Sequence, residues 1–160
     1  MEEKQPDVFR QLKSAHLAIL GCFTLVVLAV IALLQTHRFA VNKSESLDRT
    51  LQVVLMIISL GMVISGFNLF RKKIMQIRGS VDTDGVSRMK QYRTACIIWW
   101  AMIEVPGMFA AIGFLITGNY AFLALALFHL AILAVFMPRK QNIILLLNLT
   151  ETDVKRLEGQ

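Results

Sequence analysis

Four stretches of the chain, at about residues 15–35, 51–70, 95–117 and 120–137, are almost free of charge, and the polar residues gather between them. Each is close to the ~20 residues a helix needs to cross ~30 Å of hydrocarbon. The pattern predicts four membrane-spanning helices. The first stretch is too long in its apolar core for a signal peptide, and acidic Glu2, Glu3 and Asp7 precede it. The expected fold is all-α: an integral membrane four-helix bundle, one membrane domain over residues 1–160 with a short amphipathic tail over 138–160.

Composition agrees with that pattern. Of 160 residues, 56% are hydrophobic and 18% charged, which is more apolar and less charged than a soluble domain of this length. The net charge of +6 raises nucleic acid as a partner. Because the basic residues flank apolar spans, membrane orientation explains them better, and nucleic acid is not expected.

The placement of Lys and Arg predicts the topology. Lys4, Arg10 and Lys13 precede the first span. Arg71, Lys72, Lys73, Arg78, Arg88, Lys90 and Arg93 lie between the second and third, and Arg139, Lys140, Lys155 and Arg156 follow the fourth. With four spans these three segments share one side, leaving only Arg38, Lys43 and Arg49 on the other. Both termini are therefore expected to be cytoplasmic. Gly118-Asn119 should be a tight turn that makes the last two spans an antiparallel hairpin.

Residues 71–78 contain no helix breaker, so the second helix should run past the bilayer. Residues 79–85 read as a turn, and residues 86–94 as helix leading into the third span. A basic helical hairpin should thus project into the cytoplasm, with Arg71, Lys72 and Lys73 placed to meet anionic lipid headgroups. In the tail, the apolar run at 143–147 is too short to span and should lie in the interface or pack on the bundle. Thr150 and Asp153 have the spacing of a capping box, which would start a small helix carrying Val154 and Leu157 on one face.

One feature breaks the apolar pattern. In Trp99–Gly107, WWAMIEVPG, a carboxylate sits nine residues into the third span, about 13 Å from its end at 1.5 Å per residue. An ionised carboxylate at a helix centre costs roughly 2.5–3.5 kcal/mol on insertion scales. Glu104 must therefore be protonated, be paired, or face a hydrated cavity. At about 100° per residue it shares a face with Ile97, Trp100, Ala101, Gly107, Met108 and Ala111. The small members, Ala101, Gly107 and Ala111, would let another helix approach closely. Pro106 lacks a backbone N–H and crowds the Met102 carbonyl, predicting a kink or a free carbonyl beside the carboxylate.

The expected facing surface is the Gly61, Ser65 and Asn68 stripe of the second span, with Ser65 or Asn68 as hydrogen-bond partner. His129, near the middle of the fourth span, is the other expected partner. Trp99 and Trp100 lie near the cytoplasmic boundary, where such rings commonly anchor at headgroups. Cys22 and Cys96 read as small buried apolar residues.

No phosphate-binding glycine loop, nucleophile elbow, HExxH or CxxC spacing occurs. His16, His37 and His129 lie on separate segments, a poor geometry for one haem. An enzyme is not expected, and neither metal nor cofactor is implied.

The run KQYRTACIIWWAMIEVPGMFAAIGFLITGN, Lys90 to Asn119, with the later Pro138-Arg139-Lys140 and Leu149-Thr150, resembles small four-span inner-membrane proteins of Bacteroidota. These share a location rather than an assigned activity, so the resemblance implies a bacterial inner membrane. Two spans joined by a polar turn, the latter with a central Glu, also look faintly like the proteolipid hairpin of rotary ATPases, which would make Glu104 a proton carrier. The chain departs from that pattern: its second span has only Gly61 and Gly66, and Pro106 follows the Glu closely. The leading expectation is a non-enzymatic membrane protein that assembles with itself or with a larger membrane complex. The alternative is proton or cation translocation through Glu104 with His129.

Overall fold

The computed structural model describes residues 7–36, 45–79 and 84–159. Lys4, His37, Arg38, Lys43 and most of the turn expected at 79–85 lie outside them. The described residues form six helices and no strand: α1 (Val8–Gln35), α2 (Glu45–Gly79), α3 (Gly85–Thr117), α4 (Tyr120–Val135), α5 (Lys140–Leu147) and α6 (Glu151–Leu157). Helices α1, α2 and α3 are each long and apolar enough to cross a membrane. Helix α4 has 16 residues, about 24 Å at helical rise. It bends through 71° into α5, and the two together make a fourth candidate span.

Local chemistry sets the helix ends. The Asp7 carboxylate accepts hydrogen bonds from the N–H groups of Phe9 and Arg10, at 2.9 and 3.2 Å, and so starts α1. Gly118 adopts φ 68° and closes α3, its N–H bonding to the Phe114 carbonyl. This left-handed position favours glycine. The next residue caps the following helix, the Asn119 Oδ1 accepting from the Ala121 N–H at 2.9 Å. Its Nδ2 donates to Asp48 of α2 at 2.9 Å. The two-residue turn is thereby tied to the start of α2.

Helix α3 is the central post, touching each of the other five. Half of its apolar window is buried (50%), against 11% for α2. The buried side of α3 runs through Met89, Tyr92, Cys96, Trp99, Trp100, Ile103, Gly107, Ala110, Ala111 and Phe114. It contains Pro106 without interrupting the helix. The tryptophans are not headgroup anchors. Trp99 is boxed by Phe67, Phe70 and Phe136, with ring centroids 5.4–6.3 Å away, and both tryptophans are buried. The anchor expectation fails on exposure, because Phe67 and Phe70 of α2 and Phe136 cover Trp99 while His16 of α1 covers Trp100. Cys96 is buried, whereas Cys22 is exposed on the outer face of α1.

Both long helices run past their apolar stretches, as the lack of a breaker at 71–78 predicts. Ile74 and Ile77 of α2 and Met89 and Tyr92 of α3 are buried in this polar extension. The tail folds back onto it, burying Ile143, Leu147 and Leu157. Arg88 is the latch. Its Nη1 donates to the carbonyls of Leu147 and Asn148, at 2.8 and 3.1 Å, and its Nη2 lies 3.4 Å from Asp153. Asn148, at φ 50°, ends α5 so that these carbonyls point back toward α3. Thr150 and Asp153 close a reciprocal capping box at the start of α6.

The latch predicts a pH response. Hydrogen bonds from the Thr150 backbone and hydroxyl, then the charges of Arg88 and Arg156, hold the Asp153 carboxyl below the ordinary aspartate value of 3.8. A depressed folded-state value contributes stability that is complete above 3.8 and is lost as pH falls through the lower folded value. Hydrogen exchange of the α6 amides is therefore expected to stay slow down to about pH 4 and to accelerate below it. In Asp153→Asn the same amides should exchange faster at neutral pH, with the acid step gone. An unaltered acid step in that variant would remove Asp153 from the latch.

Candidate functional site

The membrane-depth site is built on two sides of α3. On one, Trp99 and Met102 meet α2 at Gly66, where an added Cβ would lie 2.8 Å from the Trp99 ring. On the other, Trp100 packs on His16 of α1, with centroids 4.7 Å apart, and Gly107 lies against Phe23 of α1 and His129 of α4. Glu104 is four residues after Trp100 and three before Gly107, so it belongs to the side that meets α1. It is half-buried at the edge of that side, and among the described residues it has neither hydrogen bond nor ion pair.

This geometry corrects the expected facing stripe. Gly61, Ser65 and Asn68 are exposed, and nothing lies within 4 Å of a Cβ added at Gly61. The packed side of α2 is instead Ser59, Val63, Gly66, Phe70, Ile74 and Ile77, spaced three and four residues apart. The outward stripe lies roughly half a helical turn round from it. The expected small-residue stripe of α3 is also divided: Gly107 and Ala111 are buried in the bundle, and Ala101 is exposed.

His129 is fully buried, and its partner is Ser59, with Nε2 2.5 Å from the hydroxyl. This bond joins α2 to α4, which otherwise touch little. Such bonds average about 0.6 kcal/mol in membrane proteins. His16 is also fully buried, its ring set against the Leu133 backbone of α4, and the His129 ring is likewise set against the Ile103 backbone of α3. No hydrogen bond joins His129 to Glu104. The arrangement joins α2 to α4 through the buried Ser59–His129 contact and leaves Glu104 at the bundle edge.

Arg71, Lys72 and Lys73 are exposed on the extension of α2. Among the described residues no group of three or more His, Cys, Asp or Glu is placed to hold a metal ion.

Ser59 and His16 carried signals that composition alone hides. In the polar stretch 71–78, Ile74 and Ile77 are three residues apart on one helical face, and counting back from them in steps of three and four reaches Ser59. His16 sits one turn before Leu20 and one after Leu12 on α1, within that helix's buried stripe.

Compared with protein-family models, curated proteins and solved structures, the chain matches none.

Proposed function

We propose that this chain is a non-enzymatic, four-span membrane subunit, both ends cytoplasmic, that assembles with a transmembrane helix of another subunit, identical or not. One observation carries this reading: Gly61, Ser65 and Asn68 form a polar stripe on the outer side of an otherwise apolar α2. Hydrocarbon offers an amide or hydroxyl no partner, whereas a second helix offers both close approach and hydrogen bonds. Helix α4 supplies the fourth span, its apolar run ending at the 71° bend before α5. The excess of Lys and Arg on three of the five intervening and terminal segments supports the orientation. The resemblance to Bacteroidota proteins supports a bacterial inner membrane.

The test is native mass after extraction from the chain's own membranes in mild detergent. Wild type is expected to run as a larger species of fixed composition. Replacing Ser65 and Asn68 together with leucine should release the monomer without lowering its thermal midpoint. A monomeric wild type, or an assembly indifferent to both leucines, overturns the proposal.

A second reading, proton or cation translocation, is favoured by the unpartnered Glu104 at the bundle edge. Glu104→Gln distinguishes the two. On the assembly reading it leaves the native mass unchanged and proteoliposomes made with either protein show equal proton flux under an imposed gradient. Flux present in wild type and lost in the glutamine variant transfers the function to Glu104.

A further inference from the structure

We propose that the cleft between the start of α1 and the α4–α5 elbow binds the phosphate-bearing headgroup of an anionic phospholipid. The cleft has a volume of about 510 Å³ and is lined by Arg10, Lys13 and Arg139 around Phe9, Met137 and Pro138. That volume lies within the roughly 300–1,000 Å³ typical of small-molecule sites. Phe9 and Pro138 are buried and form an apolar floor, while the three cations are exposed at the rim.

The charges at the rim are available. Arg10, Lys13 and Arg139 have no carboxylate partner among the described residues. Lys140 also lines the cleft, but it is paired with Glu158 and lies 5.8 Å over the Phe9 ring. Asp7 is the one carboxylate in the lining among the described residues. Its Oδ1 is occupied by the N–H groups that start α1. Among the described residues, three cations without a carboxylate partner thus surround a concavity whose single acid is turned to capping a helix.

Position selects a lipid as the source of the phosphate. Lys13 is the last cation before the apolar part of α1, and Arg139 is the first after α4. Both therefore lie at the ends of apolar helices, level with headgroups when those helices cross a bilayer. Leu17 follows Lys13 by one turn and is exposed, as are Val135 and Phe136 at the end of α4. Acyl chains can lie along these side chains while the phosphate meets the rim.

The experiment is native mass spectrometry of the whole chain in mild detergent, titrated with phosphatidylglycerol or with phosphatidylcholine of the same acyl chains. Wild type is expected to retain phosphatidylglycerol preferentially. Removing three cations near a membrane surface, in the combined Arg10→Gln, Lys13→Gln and Arg139→Gln variant, should weaken that retention by roughly tenfold or more. The equal charge loss at Arg78→Gln, Lys90→Gln and Lys155→Gln should change it less than about twofold, because those exposed residues lie on the polar extension and the tail and do not line the cleft. Lys13→Gln alone gives an intermediate loss and serves if the triple variant is unstable. Equal losses from both triple variants, or none from the cleft variant, overturn the assignment. Displacement of the lipid by inorganic phosphate alone would also overturn it, since the ligand would then be a soluble phosphate.

Discussion

Gly107→Val is expected to dismantle the bundle around α3, lowering stability by about 3 kcal/mol or more. Even a single Cβ at this position would lie 2.5 Å from Phe23 Cζ and 2.8 Å from His129 Cβ. Neither neighbour can yield cheaply. Phe23 is fully enclosed, and a Cβ atom moves only with its backbone. Valine adds two methyl groups to that clash, so α1 and α4 must both move away from α3. The check is the thermal midpoint in mild detergent for wild type, Gly107→Ala and Gly107→Val, which should fall in that order. The contrasting control is Gly61→Val, where nothing lies within 4 Å of the added Cβ. Its monomer should keep the wild-type midpoint apart from a small loss of propensity. If Gly107→Val melts with wild type, the close approach of three helices at this level is wrong.

The second large effect is expected at Trp100, where alanine should cost about 3–5 kcal/mol. The ring is 1% exposed and packs on an equally enclosed His16. Burial from lipid lacks the water-driven part of a soluble core, so the loss is chiefly of packing contacts around a cavity. Trp100→Phe retains an aromatic face against His16 and should recover most of the difference. Reversible unfolding in mixed micelles measures both. A tryptophan floating at the headgroup level would give a very different result, with alanine and phenylalanine both close to neutral. The measurement therefore separates a packed interior ring from an interfacial anchor.

Those two positions also show what was legible in the sequence. The helices were, because runs of apolar residues and their flanking cations follow directly from what a bilayer excludes. The Gly118-Asn119 turn and the Thr150–Asp153 box were legible because each is a local contact among a few neighbouring residues. The direction of each helix was harder. Helix α2 is apolar nearly all round, so lipid-facing and packed sides look alike in composition. Two small-residue stripes competed, Gly61/Ser65/Asn68 and Ser59/Gly66, and polarity pointed to the one that proves exposed. Only outside the apolar stretch, where charge returns, does amphipathicity recover: Ile74 and Ile77 then identify the packed side. The His129–Ser59 contact spans 70 residues of sequence and rests on that rotational setting. Glu104 was found readily because a charge is conspicuous in an apolar run. Its half-buried place at the edge of α3 depends on the packing of Trp100 and Gly107 beside it.

The central place of α3 bears on how the chain comes together as it is made. Helices α1 and α2 are synthesised first, yet each rests mainly on α3, α4 or the tail rather than on the other. When only the first half has emerged, the two helices have little mutual surface to hold them. Hydrophobic insertion can place them, but it cannot orient them about their long axes. Arrival of α3 supplies Gly107 as a seat for Phe23 and Trp99 as a seat for Gly66. Helix α4 then brings His129 to Ser59, joining the second helix to the fourth. Assembly of this bundle is thus weighted toward the end of synthesis. A nascent chain stopped just after Gly79 would present two separated hydrophobic helices to whatever guards the membrane against unfinished proteins.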